Sequence, residues 1–481
     1  MSLLKQVAQN TIIQIAGKII GSLLALISVG FMLRYLKQTG FGQYTTIISF
    51  LSMFSILADL GLYLTVTREI SKPKVDESKI INNAFTLKLV SSLIILSLGP
   101  IVALFFPYSP LVKLGILIGS ISFLFVLLNQ ILIGIFQKYL NMLAVAVGEI
   151  AGRIFWLFGI LLVIKLNLGL IALIWAIAFS NFINFLIVFI LAQKYVKIRL
   201  AFDFKYWKYL LKIAAPLAIS VIFNLIYFKV DTVILSVFKP ERDVGIYGAP
   251  YKVLESLITF AAIFAGILLP ILSKYIIENF EKFKRLYRRS FDVIAIFILP
   301  LIVGVVMLAR PIMVFFGGGE FAESENVLRI LIFACGAIYF SHLFGNSVVA
   351  CNEQKKMMWI YFLTAASSII LNFVLIPPFS YYGAAISVLI SEIIVCFALA
   401  LVVYKKTRVF PQFKIFGKSL FATATMALFI YFAPQWHFLI TVALASLLYF
   451  AILYILRGFS KEVVLEIIGL KIDQRSINNN N

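Results

Sequence analysis

Histidine and cysteine are scarce, with two and three copies in 481 residues. Cys335, Cys351 and Cys396 form no C-x-x-C pair, and an odd number of isolated thiols supports neither a disulfide framework nor a zinc site. They read as small packing residues. His342 and His437 lie far apart without metal-ligand spacing and read as polar packing residues too. Charge is also low: 13% of residues are charged and 62% are apolar, with a mean hydropathy of +1.03. Soluble domains carry roughly 25% charged and about 45–50% apolar residues, so soluble, disordered and fibrous classes are excluded. Gly317–Gly319 is followed by Glu320 and lacks the Lys-Ser/Thr of a phosphate-binding loop, so it reads as a turn. No ATPase motif is present. Any transport must therefore draw on an ion gradient, the membrane potential or product removal.

What the sequence has is long apolar runs. About fourteen are long enough to cross a hydrocarbon core of roughly 30 Å. They cover residues 11–34, 41–66, 81–107, 111–136, 142–166, 169–193, 213–238, 246–272, 291–316, 327–350, 357–377, 383–404, 417–433 and 437–456. This predicts an all-α polytopic membrane protein. Forty-two Lys and Arg against 21 acids would suggest nucleic acid in a soluble protein, but here the basic residues cluster between apolar runs and no nucleic-acid partner is expected. Alternate connections and the termini hold 29 basic residues, and the opposite connections and span ends hold eight, among them Arg34, Lys37, Lys239 and Arg242. That bias predicts both termini in the cytosol of a multi-pass protein of the plasma or inner membrane.

An internal repeat is legible. LRYLKQTGFGQYTTIISFL, from the first span into the second, matches LSVFKPERDVGIYGAPYKVL, from the seventh into the eighth, which pairs Gly42 and Tyr44 with Gly245 and Tyr247. The fourth span ends NQILIGIFQK and the tenth NSVVACNEQK, pairing Asn129, Gln137 and Lys138 with Asn346, Gln354 and Lys355. The simplest division is a six-helix lobe over 1–200, a linker over 201–212, a second six-helix lobe over 213–410, a further helix pair over 411–456 and a cytosolic tail over 457–481. Lys205, Lys208 and Lys212 recur at helical spacing beside Tyr206, Trp207 and Tyr209, as in an element lying at the headgroup boundary. The segment 275–290 has the same character.

The 6+6+2 plan, the G-x-Y openings, the N-x7-QK span ends and the passage LNFVLIPPFSYYGAAISVLISE over 371–392 resemble the polysaccharide transporters of the multidrug/oligosaccharidyl-lipid/polysaccharide superfamily. Within it the chain is most similar to the oligosaccharide-lipid, O-antigen-type flippases. The resemblance implies a V-shaped pair of lobes and alternating access for a polyprenyl-diphosphate-linked glycan moved from the inner to the outer leaflet. It also implies membrane lipids and glycan-assembly proteins as partners, and a monomeric transport unit.

Charges within spans cost about 2.5–3.5 kcal/mol each at the bilayer centre, so they normally face a partner or a wet cavity. Lys18 and Lys88 have no acid nearby in sequence and lie about a third of the way in from the cytosol, where an entering diphosphate would need positive charge. Snorkelling to the boundary is the alternative for both. Arg153 and Lys252 are further candidates for the diphosphate, with the alternative that Arg153 pairs with Glu149 at i,i+4 and Lys252 with Glu255 at i,i+3. The resemblance adds weight to Lys18 and Lys252, since flippases of lipid-linked glycans place basic residues on the first and eighth helices facing the cavity. Asp59 is a partner for either Lys18 or Lys88. Asp231, Asn372 and Glu392 offer oxygen ligands for a coupling Na⁺, or a carboxyl for H⁺, and relatives hold a cation among these helices. For Asp231 the alternative is pairing with Lys229. No other metal and no cofactor is expected.

Two further readings compete. A cation-coupled exporter of another small molecule would need an acidic cavity without unpaired basic residues in the first lobe. A membrane-embedded glycan polymerase would be expected to show a large outward loop or a His-centred site, and no two-lobe repeat. The reading is therefore a transporter and not an enzyme.

Overall fold

The computed structural model describes residues 3–433 and 437–458, and among them it is built from helices without strands. In order these are α1 (Leu3–Asp59), α2 (Leu62–Ile70), α3 (Glu77–Leu104), α4 (Pro110–Lys138), α5 (Met142–Leu166), α6 (Gly169–Ala192) and α7 (Phe204–Phe238). They continue with α8 (Glu241–Glu278), α9 (Phe280–Gly317), a 3-10 turn (Gly319–Ser324), α10 (Glu325–Ala350), α11 (Gln354–Thr407), α12 (Lys414–Phe432) and α13 (Phe438–Ile455). Eleven helical stretches among the described residues are long and apolar enough to span a membrane.

Two helices are too long to be single spans. At 1.5 Å per residue the 57 residues of α1 would run about 85 Å, nearly three hydrocarbon cores. The backbone breaks at Lys37, with φ 57°, and α11 breaks likewise at Ser380, with φ 49°. The breaks fall between the apolar runs 11–34 and 41–66, and between 357–377 and 383–404. Each long helix therefore supplies two of the predicted spans.

The described residues form two compact units. The first holds the chain up to Thr259 together with Met313–Val327 and Met358–Ser391. Its apolar core draws Val66 from α2, Ile80 and Phe85 from α3, Ile135 and Phe136 from α4, Val188 from α6 and Leu210 from α7, all buried. Small residues bring α5 onto α6. Gly152 faces Ser180 and Asn184, and the Ser180 hydroxyl donates to the Gly152 carbonyl at 2.7 Å. The connector before α7 is an extended strap whose alternate backbone N–H groups are satisfied by α3 side chains: Arg199 by Asn82, Ala201 by Thr86 and Asp203 by Asn83, at 2.9–3.0 Å. Asp203 caps α7, and the Tyr206 backbone N–H, with the Lys79 ammonium, holds its carboxyl below the usual range. Lys205, Lys208 and Lys212 stand exposed on the first turns of α7, as their spacing predicts.

The second unit holds Phe260–Ile312, Leu328–Met357 and the described residues from Glu392 onward. Here α12 and α13 pack on α9 around Ile296, Met426, Tyr449 and Leu453. The buried Tyr449 hydroxyl donates to the Ile296 carbonyl at 2.7 Å and shares a 2.6 Å hydrogen bond with Ser419. Asn346, one of the repeat residues, donates to the Ala265 carbonyl at 2.6 Å.

Candidate functional site

Within the first unit a cavity of about 530 Å³ is lined by α1, α4, α5, α6 and α8. The contribution of α1 is the stripe Ser22, Ala25, Val29 and Met32, spaced to share one helical face. Lys18 lies one turn before Ser22 on that face, is exposed, and makes no ion pair among the described residues.

Two charged centres line the cavity. On α5, the Arg153 guanidinium donates to Glu149 at 3.1 Å, while its buried Nε–H has no hydrogen-bond partner among the described residues. Gly21 on α1 makes room for this guanidinium, since a Cβ added there would lie 2.9 Å from Nε. On α8, Lys252 reaches one oxygen of Glu255 at 2.7 Å, and Lys229 from α7 reaches the other at 2.5 Å. The Lys229 ammonium also sits over the Tyr251 ring, 5.2 Å from its centroid. Two lysines on one carboxylate leave this centre with a formal charge of +1, with Lys252 and Glu255 at the cavity wall and Lys229 behind them, outside the lining residues.

Neutral amides complete the polar lining. Asn129 and Gln130 come from α4, and Asn181 and Asn184 from α6. The buried carbonyl oxygens of Asn129 and Asn184 are unpartnered among the described residues. Amides that line a cavity give it a polar wall with which water or a polar ligand can exchange hydrogen bonds.

Lys88 differs from its expected place. It is not among the cavity-lining residues; its side chain is 0% exposed and ion-paired with Asp59, and it donates to the cavity-lining Gln130 at 3.2 Å. An ammonium enclosed in a bundle needs a counterion, and Asp59, 29 residues earlier, supplies it. Removing one partner of such a pair strands a buried charge at a cost of about 3–5 kcal/mol, which gives Lys88 and Asp59 a structural role.

Of the expected coupling-ion residues, Asp231 and Asn372 are not joined by a hydrogen bond among the described residues. Asp231 is buried and accepts from the Tyr247 hydroxyl, while Lys229 turns to Glu255 instead of pairing with Asp231. Asn372 is buried, donates to the Ser368 carbonyl at 2.8 Å and has an unpartnered Oδ1. Glu392 is buried and belongs to the second unit. Sequence reasoning missed the bridging role of Lys229 and the amides of α4 and α6. The available signal for the amides was the spacing of Asn181 and Asn184, one turn apart in an otherwise apolar run.

The first unit is tied together at the Lys37 break. Lys37 pairs with Glu320 at 3.1 Å, Gln38 donates to the Glu320 carbonyl at 2.5 Å, and Arg242 bridges Gln38 and Glu323. Glu241 accepts from Gln43 at 2.6 Å and Ser109 at 2.5 Å. Beneath this network the two repeat-matched glycines meet reciprocally. A Cβ on Gly42 would overlap the Glu241 carbonyl, and one on Gly245 the Gln38 carbonyl, each carbonyl lying four residues before the other glycine.

Helices long and apolar enough to span a membrane, and a cavity with charged and amide walls within the first unit, are the arrangement of a membrane transporter. The chain belongs to the polysaccharide biosynthesis protein family, whose family model matches residues 7–276, and a MatE model matches residues 216–374. It is similar to a probable low-salt glycan biosynthesis flippase, Agl15, of Haloferax volcanii, with 24% identity over 80% of each chain. It is also similar to a candidate O-antigen transporter of Shigella flexneri, 25% identical over 79% of this chain and 94% of that protein. In fold it resembles the lipid II flippase MurJ in an inward closed conformation, with a TM-score of 0.77, 18% identity and coverage of 93% of this chain and 98% of MurJ.

Proposed function

We propose that the protein is a flippase that moves a polyprenyl-diphosphate-linked oligosaccharide from the inner to the outer leaflet by alternating access, for assembly of a cell-surface glycan. The observation that carries this reading is the cavity lining. Arg153 on α5 and Lys252 on α8 line the cavity with side chains 35% and 23% exposed, and the lining amides Asn129, Gln130, Asn181 and Asn184 suit hydroxyl-rich sugar. Cations held by counterions inside the protein can take phosphate oxygens without the cost of bringing a bare charge into the membrane. The names of the two sequence relatives, a glycan biosynthesis flippase and an O-antigen transporter, support the same substrate class.

In this reading the basic bias places both termini in the cytosol and the Lys37 network at the extracytoplasmic end, in the plasma or inner membrane. The two six-helix lobes are the moving parts, and the transport unit is a monomer. Lys18, one turn beyond the lining stripe and nearer the cytosol, meets the incoming diphosphate. A Na⁺ or H⁺ taken by Asp231, Asn372 or Glu392 biases the access states by its differential affinity for them. The acceptor left open on Asn372 supports an ion there.

Depletion of the protein in its native host should cause the lipid-linked glycan to accumulate on the cytosolic leaflet. A Lys18→Ala copy should relieve the accumulation poorly and Lys18→Arg partly, because the entry site needs positive charge more than an ammonium. Lipid extraction and mass spectrometry measure this. An unchanged lipid pool on depletion would refute the assignment.

A further inference from the structure

Glu255 occupies an unusual position for a carboxylate in a cavity meant for an anion. Each of its two oxygens is taken by a different lysine from a different helix, Lys229 of α7 and Lys252 of α8, and all three side chains are partly exposed. A carboxylate presents two oxygens on one central atom, as one edge of a phosphate does, so the pair of ammonium groups is shaped for a phosphate edge and filled by a side chain of the protein. Lys229 has a second resting partner in the Tyr251 ring, and so keeps its position when the carboxylate leaves.

We propose that Glu255 is an internal competitor for the lysine clamp, displaced when a phosphate headgroup binds and returned when it leaves, and that this exchange limits how tightly the headgroup is held. The inference rests on the flippase reading and extends it to the residue that governs headgroup release. Displacing the carboxylate is a cost that every phosphate ligand meets alike, so it lowers affinity without changing the order of preference among phosphates. The same element keeps binding reversible, because the clamp is never left without an anion.

The test is binding of undecaprenyl diphosphate, undecaprenyl monophosphate and neutral undecaprenol to the full chain in nanodiscs. The parent should bind both phosphates in preference to undecaprenol. Glu255→Gln should bind each phosphate about tenfold more tightly, one factor of ten in affinity, with undecaprenol unchanged. Glu255→Asp, which keeps the competing charge, should retain the parent affinities. Glu255→Ser should show the same gain, which preserves the test if Glu255→Gln fails to fold. Parent-like phosphate affinity in a folded variant without the carboxylate overturns the competitor role and leaves the flippase reading standing. A parent that binds neither phosphate in preference to undecaprenol overturns the flippase reading itself.

Discussion

Replacing Arg153 with alanine should weaken capture of the lipid-linked diphosphate by roughly ten- to a hundredfold, the range expected for loss of a charge-assisted hydrogen bond worth about 1.5–3 kcal/mol. The guanidinium is positioned for this by Glu149, which holds one end at 3.1 Å, and by Gly21, which leaves room for it, and its side chain is 35% exposed where it lines the cavity. Arg153→Lys should fall between parent and alanine, because a point charge replaces a planar fork. Transport in proteoliposomes and binding in nanodiscs measure the two effects separately. If Arg153 served only to neutralise Glu149, the paired replacement Arg153→Met/Glu149→Leu would restore full transport, and that result would remove Arg153 from the substrate site.

The second large effect is expected at the glycine crossing. Gly42→Ala or Gly245→Ala drives a methyl into a backbone carbonyl of the facing helix, an obstacle that no side-chain rotation relieves. Overpacking costs about 1–3 kcal/mol even where side chains can yield, so each variant should lie at or above that range and melt well below the parent. The Gln38, Arg242 and Glu241 network spanning this crossing should loosen with it. Thermal melting of the purified protein checks this, and a parent-like melting temperature in both variants would mean the helices do not cross as described.

The two glycines show how far the sequence could be read. Gly42 and Gly245 are recognisable as repeat partners because each opens an apolar span with the same G-x-Y pattern, but their mutual contact is a tertiary fact that local pattern does not encode. The spans were legible because about 20 consecutive apolar residues are needed to cross a bilayer and few other structures require them. The breaks at Lys37 and Ser380 fall where apolar runs pause, so each long stretch is two helices meeting at a sharp break, as the pattern of apolar runs divides them. Ion pairs were legible only along one helix. Glu149 with Arg153 and Lys252 with Glu255 follow from i,i+4 and i,i+3 spacing, whereas Lys88 with Asp59 and Lys229 with Glu255 join residues 29 and 26 positions apart. The sequence left Asp59 between two lysines, and packing chose the enclosed one. The carboxylate shared by two lysines was missed because Asp231, two residues from Lys229, is the nearer acid in sequence. In the fold Asp231 is taken by Tyr247, and Lys229 is left to reach α8.

The central claim is translocation of a diphosphate-linked lipid glycan, and its most direct measurement is leaflet exchange in proteoliposomes. A fluorescent polyprenyl-diphosphate-linked oligosaccharide is placed in both leaflets, and the fraction open to an impermeant quencher is followed with and without an imposed Na⁺ or H⁺ gradient. Protein-dependent exchange of the diphosphate-linked glycan is expected, with little exchange of a neutral polyprenyl glycoside bearing the same sugar and a greatly reduced rate with Arg153→Ala. Equal exchange of the neutral lipid, or no exchange of the diphosphate-linked glycan by folded protein under any gradient, would contradict the claim.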